Sequence, residues 1–119
     1  MFARSDAFAA VADLRQRVSA RAVALVARDG LVLAAEMPEG VYAETFGVLC
    51  ATIVGAAAAA SDGLSRSPPE RIVVEGRDSW LVLFAGPAPA ILAVELERAA
   101  ELERALPQIA AFADLLRVR

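Results

Sequence analysis

The sequence contains no histidine, no lysine and a single cysteine, and aromatic residues make up only 6% of it. Without histidine the commonest general base, metal ligand and triad member is missing, so serine-histidine and cysteine-histidine catalysis are both excluded. The one cysteine, Cys50, cannot close an intramolecular disulfide. No charged residue lies within five positions of it, so nothing close in sequence lowers its pKa, and it reads as a small buried hydrophobe in a reducing compartment. A phosphate-cradling loop is also absent: Gly40, Gly47 and Gly55 are spread apart and no Gly-Lys-Ser/Thr follows them. With lysine absent, the 12 basic residues are all arginine, scattered without aromatic interleaving in a chain of net charge −3, which leaves no nucleic-acid footprint. These absences point away from an enzyme and from any metal or cofactor.

What is present is apolar. Hydrophobic residues reach 58%, above the usual share of about 45–50% for a globular domain, and much of this is alanine, which favours helix but adds little hydrophobic area. A chain of 119 residues is expected to form one domain, 1–119, large enough to bury about 65% of its unfolded surface. Asp6 and Asp13 interrupt the N-terminal stretch before any signal-peptide core, so the expected location is the cytoplasm. Thr45 to Ser61 carries no charge, but its second half is Gly and Ala, too weakly apolar to drive insertion into lipid. The expectation there is a helix buried by protein on most sides, with no membrane partner.

Periodicity then orders the elements. Ser5 is a candidate cap for a first helix with Phe8, Val11, Leu14 and Val18 on one side and Arg15 and Arg17 outside. Ala22 to Ala27 and Leu31 to Ala35 read as strands, and Asp29-Gly30 between them supplies the positive φ angles of a tight hairpin turn. A long helix runs from Tyr42 to Asp62, with Gly63 just past its end. Phe46, Leu49, Cys50, Ile53, Ala57, Ala60 and Leu64 form a stripe able to cover a sheet. On the other side Gly47, Ala51, Gly55 and Ala59 recur every fourth residue, with Val48 and Val54 beside them; this is either a face for close approach by a second helix or an alanine-rich solvent face. After the loop Leu64 to Glu70 come three strands, Arg71 to Glu75, Trp80 to Ala85 and Ala90 to Leu96, joined by "GRDS" and "GPAPA". Leu106, Ile109, Phe112, Ala113 and Leu116 mark a last helix with Pro107 in its first turn; Arg98 to Ala105 is either part of it or a separate turn. Glu95, Glu97, Glu101 and Glu103 alternate with Arg98 and Arg104 as a solvated, ion-paired face, and Trp80 reads as a core or edge anchor.

The fold class is therefore α+β, a five-stranded antiparallel sheet with helices in the order α-β-β-α-β-β-β-α. From Asp6 to Leu116, in "ALVARDGLVLA", the small-residue helix after it, "IVVEG" with "WLVLFAG", and "AILAVEL", the chain resembles the Roadblock domain family of dynein light chains and bacterial and archaeal GTPase regulators. The resemblance implies a profilin-like and longin-like sheet, no cofactor, and a homodimer built on the long helix and the edge strand Arg71 to Glu75. The interface it implies includes Gly47, Val48, Ala51, Val54, Gly55, Ala58, Ile72 and Val74. It further implies a Ras-like small GTPase as partner, with Glu39, Tyr42 and Glu44 as contact candidates, and a role as a regulator or adaptor rather than an enzyme. The alternatives are a small-molecule sensor of profilin-like or PAS-like type, with an apolar pocket between sheet and helix, and a purely structural adaptor.

Overall fold

The computed structural model describes residues 4–85 and 89–118, with side chains over 6–85 and 89–115. The "GPAPA" turn and the packing of Leu116 fall on residues or side chains outside that description. Ser5 does not cap the first helix as expected, because that helix already begins at Arg4 and takes Ser5 into its first turn. The elements are α1 (Arg4–Arg17), β1 (Ala22–Ala27), β2 (Val32–Glu36), α2 (Ala43–Gly63), β3 (Arg71–Glu75), β4 (Ser79–Phe84), β5 (Ala90–Glu97) and α3 (Leu102–Val118). This is the order expected from the sequence.

The strands form one sheet in the order β2-β1-β5-β4-β3, with every neighbouring pair antiparallel. Central β5 alternates its side chains between two apolar layers, which is why almost all of it is buried. On one face Leu92, Val94 and Leu96 join Val11 and Leu14 of α1 and Ile109 of α3. On the other Ile91 and Ala93 join Ala24 and Val26 of β1, Leu83 of β4, and Cys50 and Val54 of α2. The second layer is built of smaller side chains. Trp80 packs against the first layer, with the Arg98 guanidinium 4.2 Å from its ring centroid.

The β1-β2 turn differs in detail from expectation. Only Gly30 has positive φ, at 96°; Asp29 does not. The Gly30 N–H donates to the Ala27 carbonyl and the Ala27 N–H donates to that of Leu31, a three-residue loop in which a turn is followed by one left-handed glycine. Asp29 closes the loop from its side chain, Oδ1 accepting the Leu31 N–H at 3.0 Å.

Helix ends also depart from the sequence reading. Gly63 is the last residue of α2, and the left-handed position past its end falls to Ser65, φ 59°. The Ser65 N–H donates to Asp62 and the Arg66 N–H to Ser61, the paired bonds of a Schellman motif. Ser19, φ 55°, ends α1 in the same way, through Ser19 to Gln16 and Ala20 to Arg15. Arg98 to Ala105 divides between the two alternatives, since α3 begins at Leu102. Pro107 is thus the sixth helical residue rather than one in the first turn, and its missing N–H leaves the Glu103 carbonyl without a helical donor.

A left-handed non-glycine residue costs about 1–2 kcal/mol, while added glycine freedom in the unfolded chain returns about 0.4–1 kcal/mol of that. Ser19→Gly and Ser65→Gly are accordingly each expected to stabilise the fold by about 0.5 kcal/mol, read as a higher urea midpoint at unchanged m-value.

Candidate interaction surface

The rotation of α2 about its axis is fixed by a backbone contact. A Cβ on Gly47 would stand 2.7 Å from Val32 Cγ2 and 2.8 Å from the Gly30 carbonyl oxygen, so only glycine lets the helix settle on the hairpin turn. The contact is mutual, because a Cβ on Gly30 would meet the Val48 Cα at 3.2 Å. Gly47, Cys50 and Val54 therefore face the sheet.

This corrects the expected stripe. Leu49, Ala60 and Leu64 are exposed rather than sheet-facing, and Phe46, Ile53 and Ala57 are only half-buried. It also corrects the expectation of a helix enclosed on most sides: α2 is apolar along 21 residues, yet 17% of its most apolar window is buried. Of the residues proposed for a dimer interface, Gly47 and Val54 are occupied by the chain's own sheet. Ala51, Ala58 and Ile72 are half-buried, and Val48, Gly55 and Val74 are exposed. β3 is a sheet edge, and apart from half-buried Ile72 all of its residues are exposed, Val73 and Val74 among them.

At the head of α2, Tyr42 is 77% exposed and makes no side-chain capping bond, and Glu39 and Glu44 are exposed beside it. Val41 and Leu31 add exposed apolar surface that the sequence reading did not single out. The signal for Leu31 was its place just after a turn, where the next side chain has no strand partner to cover it. On the opposite face of the sheet, α1 and α3 border a groove of about 540 Å³ lined by Leu14, Pro107, Phe112 and Leu115 among others.

The charged face around Glu95 is ion-paired, as expected, but mostly to residues outside the alternating set. Arg21 bridges Glu95 at 3.2 Å and Glu97 at 3.3 Å, Arg98 reaches Glu75 at 2.6 Å, and only Arg104 pairs locally, with Glu101. No group of His, Cys, Asp and Glu among the described residues could hold a metal ion. Burial pushes the Cys50 thiol up from 9.0 to about 11, away from the range of reactive cysteines.

The profile of the Roadblock/LC7 domain matches residues 8–95, most of the chain. The chain belongs to the Roadblock/LC7 family. This is a family of non-catalytic adaptors and regulators. Solved structures agree on the fold. Myxococcus xanthus MglB is 17% identical over 96% of this chain and 88% of its own, with a TM-score of 0.88. A Roadblock/LC7 domain from Streptomyces avermitilis is 20% identical over 92% and 93%, with a TM-score of 0.83. Profilin of Schizosaccharomyces pombe is 17% identical over 92% and 94%, with a TM-score of 0.68, which bears out the profilin-like reading of the sheet. No curated protein sequence matches the chain.

Two outcomes follow for this Roadblock/LC7 chain. Gly47→Ala should destabilise it by about 1–2 kcal/mol in urea unfolding, the overpacking cost of about 1–3 kcal/mol exceeding the helix-propensity gain. Cys50 should resist a thiol reagent at pH 8, where a group titrating near 11 is neutral, and should react fully once the protein is unfolded.

Proposed function

We propose that the chain, 1–119, is a single Roadblock unit that acts as a non-enzymatic homodimer in the cytoplasm, binding a Ras-like small GTPase and modulating its GTP hydrolysis. The observation that carries this reading is α2: a 21-residue apolar helix with one face on the sheet and the other open to solvent. The open face holds Val48 and Gly55, and the exposed Val74 lies on the free edge strand β3. A second copy pairing along these would bury both and would join two five-stranded sheets. Glu39, Tyr42 and Glu44, at the head of the same helix, supply contacts to the GTPase.

Modulation then works by shifting the GTPase between conformations rather than by donating a catalytic group. Arg28 is the arginine at the hairpin turn, and its Nη2 already donates to the Ala85 carbonyl at 2.6 Å. A finger held in that way cannot enter a partner without breaking a part-buried bond. The groove between α1 and α3 supports one other reading, a sensor of a small apolar ligand, whose test is ligand-dependent stabilisation of the isolated protein.

Gly55 offers a clean test of the dimer, because a Cβ there meets nothing within 4 Å in a single chain. Gly55→Trp should leave the fold intact while light scattering reports a monomer; Ala51→Trp, at a half-buried position packed on the layer beneath α2, should also separate the chains but with some loss of stability, and a dimer unchanged in both overturns the interface. For the mechanism, Arg→Ala at 28, 66 and 77 should each lower GTPase stimulation by less than about tenfold, against about 10³–10⁵ for loss of an inserted arginine.

A further inference from the structure

The sheet ends in two edge strands that are finished differently. β2 breaks register with β1 between Leu25 and Val26 and is followed by Pro38, features that discourage addition of a further strand. β3 pairs with β4 in unbroken register from Arg71 to Glu75 and carries no proline. The Ala85 N–H donates to the Glu70 carbonyl and the Gly76 N–H to that of Ser79, each at 2.9 Å. Bonding direction alternates along an antiparallel pair, so Ile72 and Val74 also aim their backbone groups at β4, while Arg71, Val73 and Glu75 aim theirs at the open edge.

The three outward residues carry opposite charges at their two ends, Arg71 at one and Glu75 at the other, with Val73 between. Arg71 has no ion-pair partner among the described residues. Glu75 is held in place: its Oε2 accepts from Arg98 Nη2 at 2.6 Å. The same guanidinium lies 4.2 Å from the ring centroid of Trp80, the residue opposite Glu75 on β4. Glu75 thus keeps Oε1 for a donor beyond the edge, and its side chain is ordered before that donor arrives, which lowers the cost of pairing.

We propose that β3 pairs antiparallel with β3 of a second copy in the register that sets Val73 opposite Val73, so that Arg71 of each chain meets Glu75 of the other. A slide of one residue would set the outward backbone groups against groups already bonded to β4. A slide of two in one direction places Glu75 opposite Pro69, which has no N–H to donate. A slide of two in the other places Arg71 opposite Arg77, a like-charge pair. The centred register avoids both, and on the face covered by α2 it sets Ile72 against Val74. A partner without the same reciprocal spacing would leave Arg71 or Glu75 unmatched, so the charges select a second copy as well as its register. The inference rests on the proposed homodimer and deepens it by naming the contacts that align the two chains.

Two measurements on the full chain test it. In the first, Ile72→Cys, Val73→Cys and Val74→Cys are oxidised with diamide beside the wild-type chain, whose own Cys50 is buried. In the centred register residue 73 faces its counterpart at about 5.5 Å between Cα atoms, inside the disulfide range of about 4.4–6.8 Å, whereas residues 72 and 74 lie beyond that range from theirs. Val73→Cys alone should therefore run as a linked dimer on a denaturing, non-reducing gel. In the second, light scattering over a dilution series follows Arg71→Glu and Glu75→Arg. Each alone should dimerise about tenfold more weakly, from the reversal of both cross-strand pairs, and an equimolar mixture should recover wild-type affinity as a heterodimer. A dimeric chain that does not link at residue 73, or links best at 72 or 74, overturns the register and leaves the homodimer standing. So do charge-reversed chains that dimerise as well alone as mixed. A wild-type chain that stays monomeric in light scattering, with no link at any of the three positions, overturns the proposed homodimer along with the register.

Discussion

The close approach of α2 to the β1-β2 turn governs much of what the molecule presents to its surroundings. With the Gly30 carbonyl 2.8 Å from where a Gly47 side chain would begin, the helix cannot rotate without a clash or a gap. That single contact turns Cys50 and Val54 inward and sends Val48, Leu49 and Gly55 outward. It also holds the turn against the head of the helix and so forms a cleft bordered by Asp29 and Glu44. The Arg28-Asp29-Gly30 step is thus more than a reversal of the chain: its glycine accommodates a helix as well as a turn.

The layer beneath α2 is thin because its residues are small. Ala24, Ala93 and Cys50 meet there, where the opposite layer uses Leu14, Leu92, Leu96 and Ile109. Since hydrophobic stabilisation follows the area removed from water, at about 25 cal/mol per Å², α2 gains less from its own sheet than its apolar length could supply. The surplus stays on the outside, on a helix with no charge between Thr45 and Ser61. Such a surface is stable in water only at low exposure or when covered, and cover by protein needs a helix face that can be approached closely, which Gly55 and its alanine neighbours provide.

The strands were legible because their signals are local. Ala22–Ala27 and Arg71–Glu75 coincide with the apolar runs that predicted them, and the Asp-Gly pair fixed the hairpin between β1 and β2. The rotation of α2 was not legible, because it is set by a contact between residues 17 apart in sequence, Gly30 and Gly47, and a helix with small residues on one side and large on the other permits either side to face in. Large apolar residues were assigned inward on transfer energy; steric fit reversed that at Leu49. The left-handed ends at Ser19 and Ser65 escaped for a related reason, since glycine is the usual occupant and Gly63 stands two residues too early. Charge pairing was the least legible feature: Arg21 finds Glu95 across 74 positions through the β1-β5 register, which no spacing along the chain encodes.

Arginine is where composition and function meet. A chain with no lysine must build its ion pairs from a planar, permanently charged donor, and here Arg21, Arg98 and Arg28 are all committed within the chain, to carboxylates, an indole face and a backbone carbonyl. Commitment of this kind ties strand ends and turns together but removes those groups from chemistry on a partner. Glu39 and Glu44 at the head of α2 carry no such tie. Arginines held in this way are poor donors to a partner's transition state, so the proposed modulation of a partner rests on favouring one of its shapes over another.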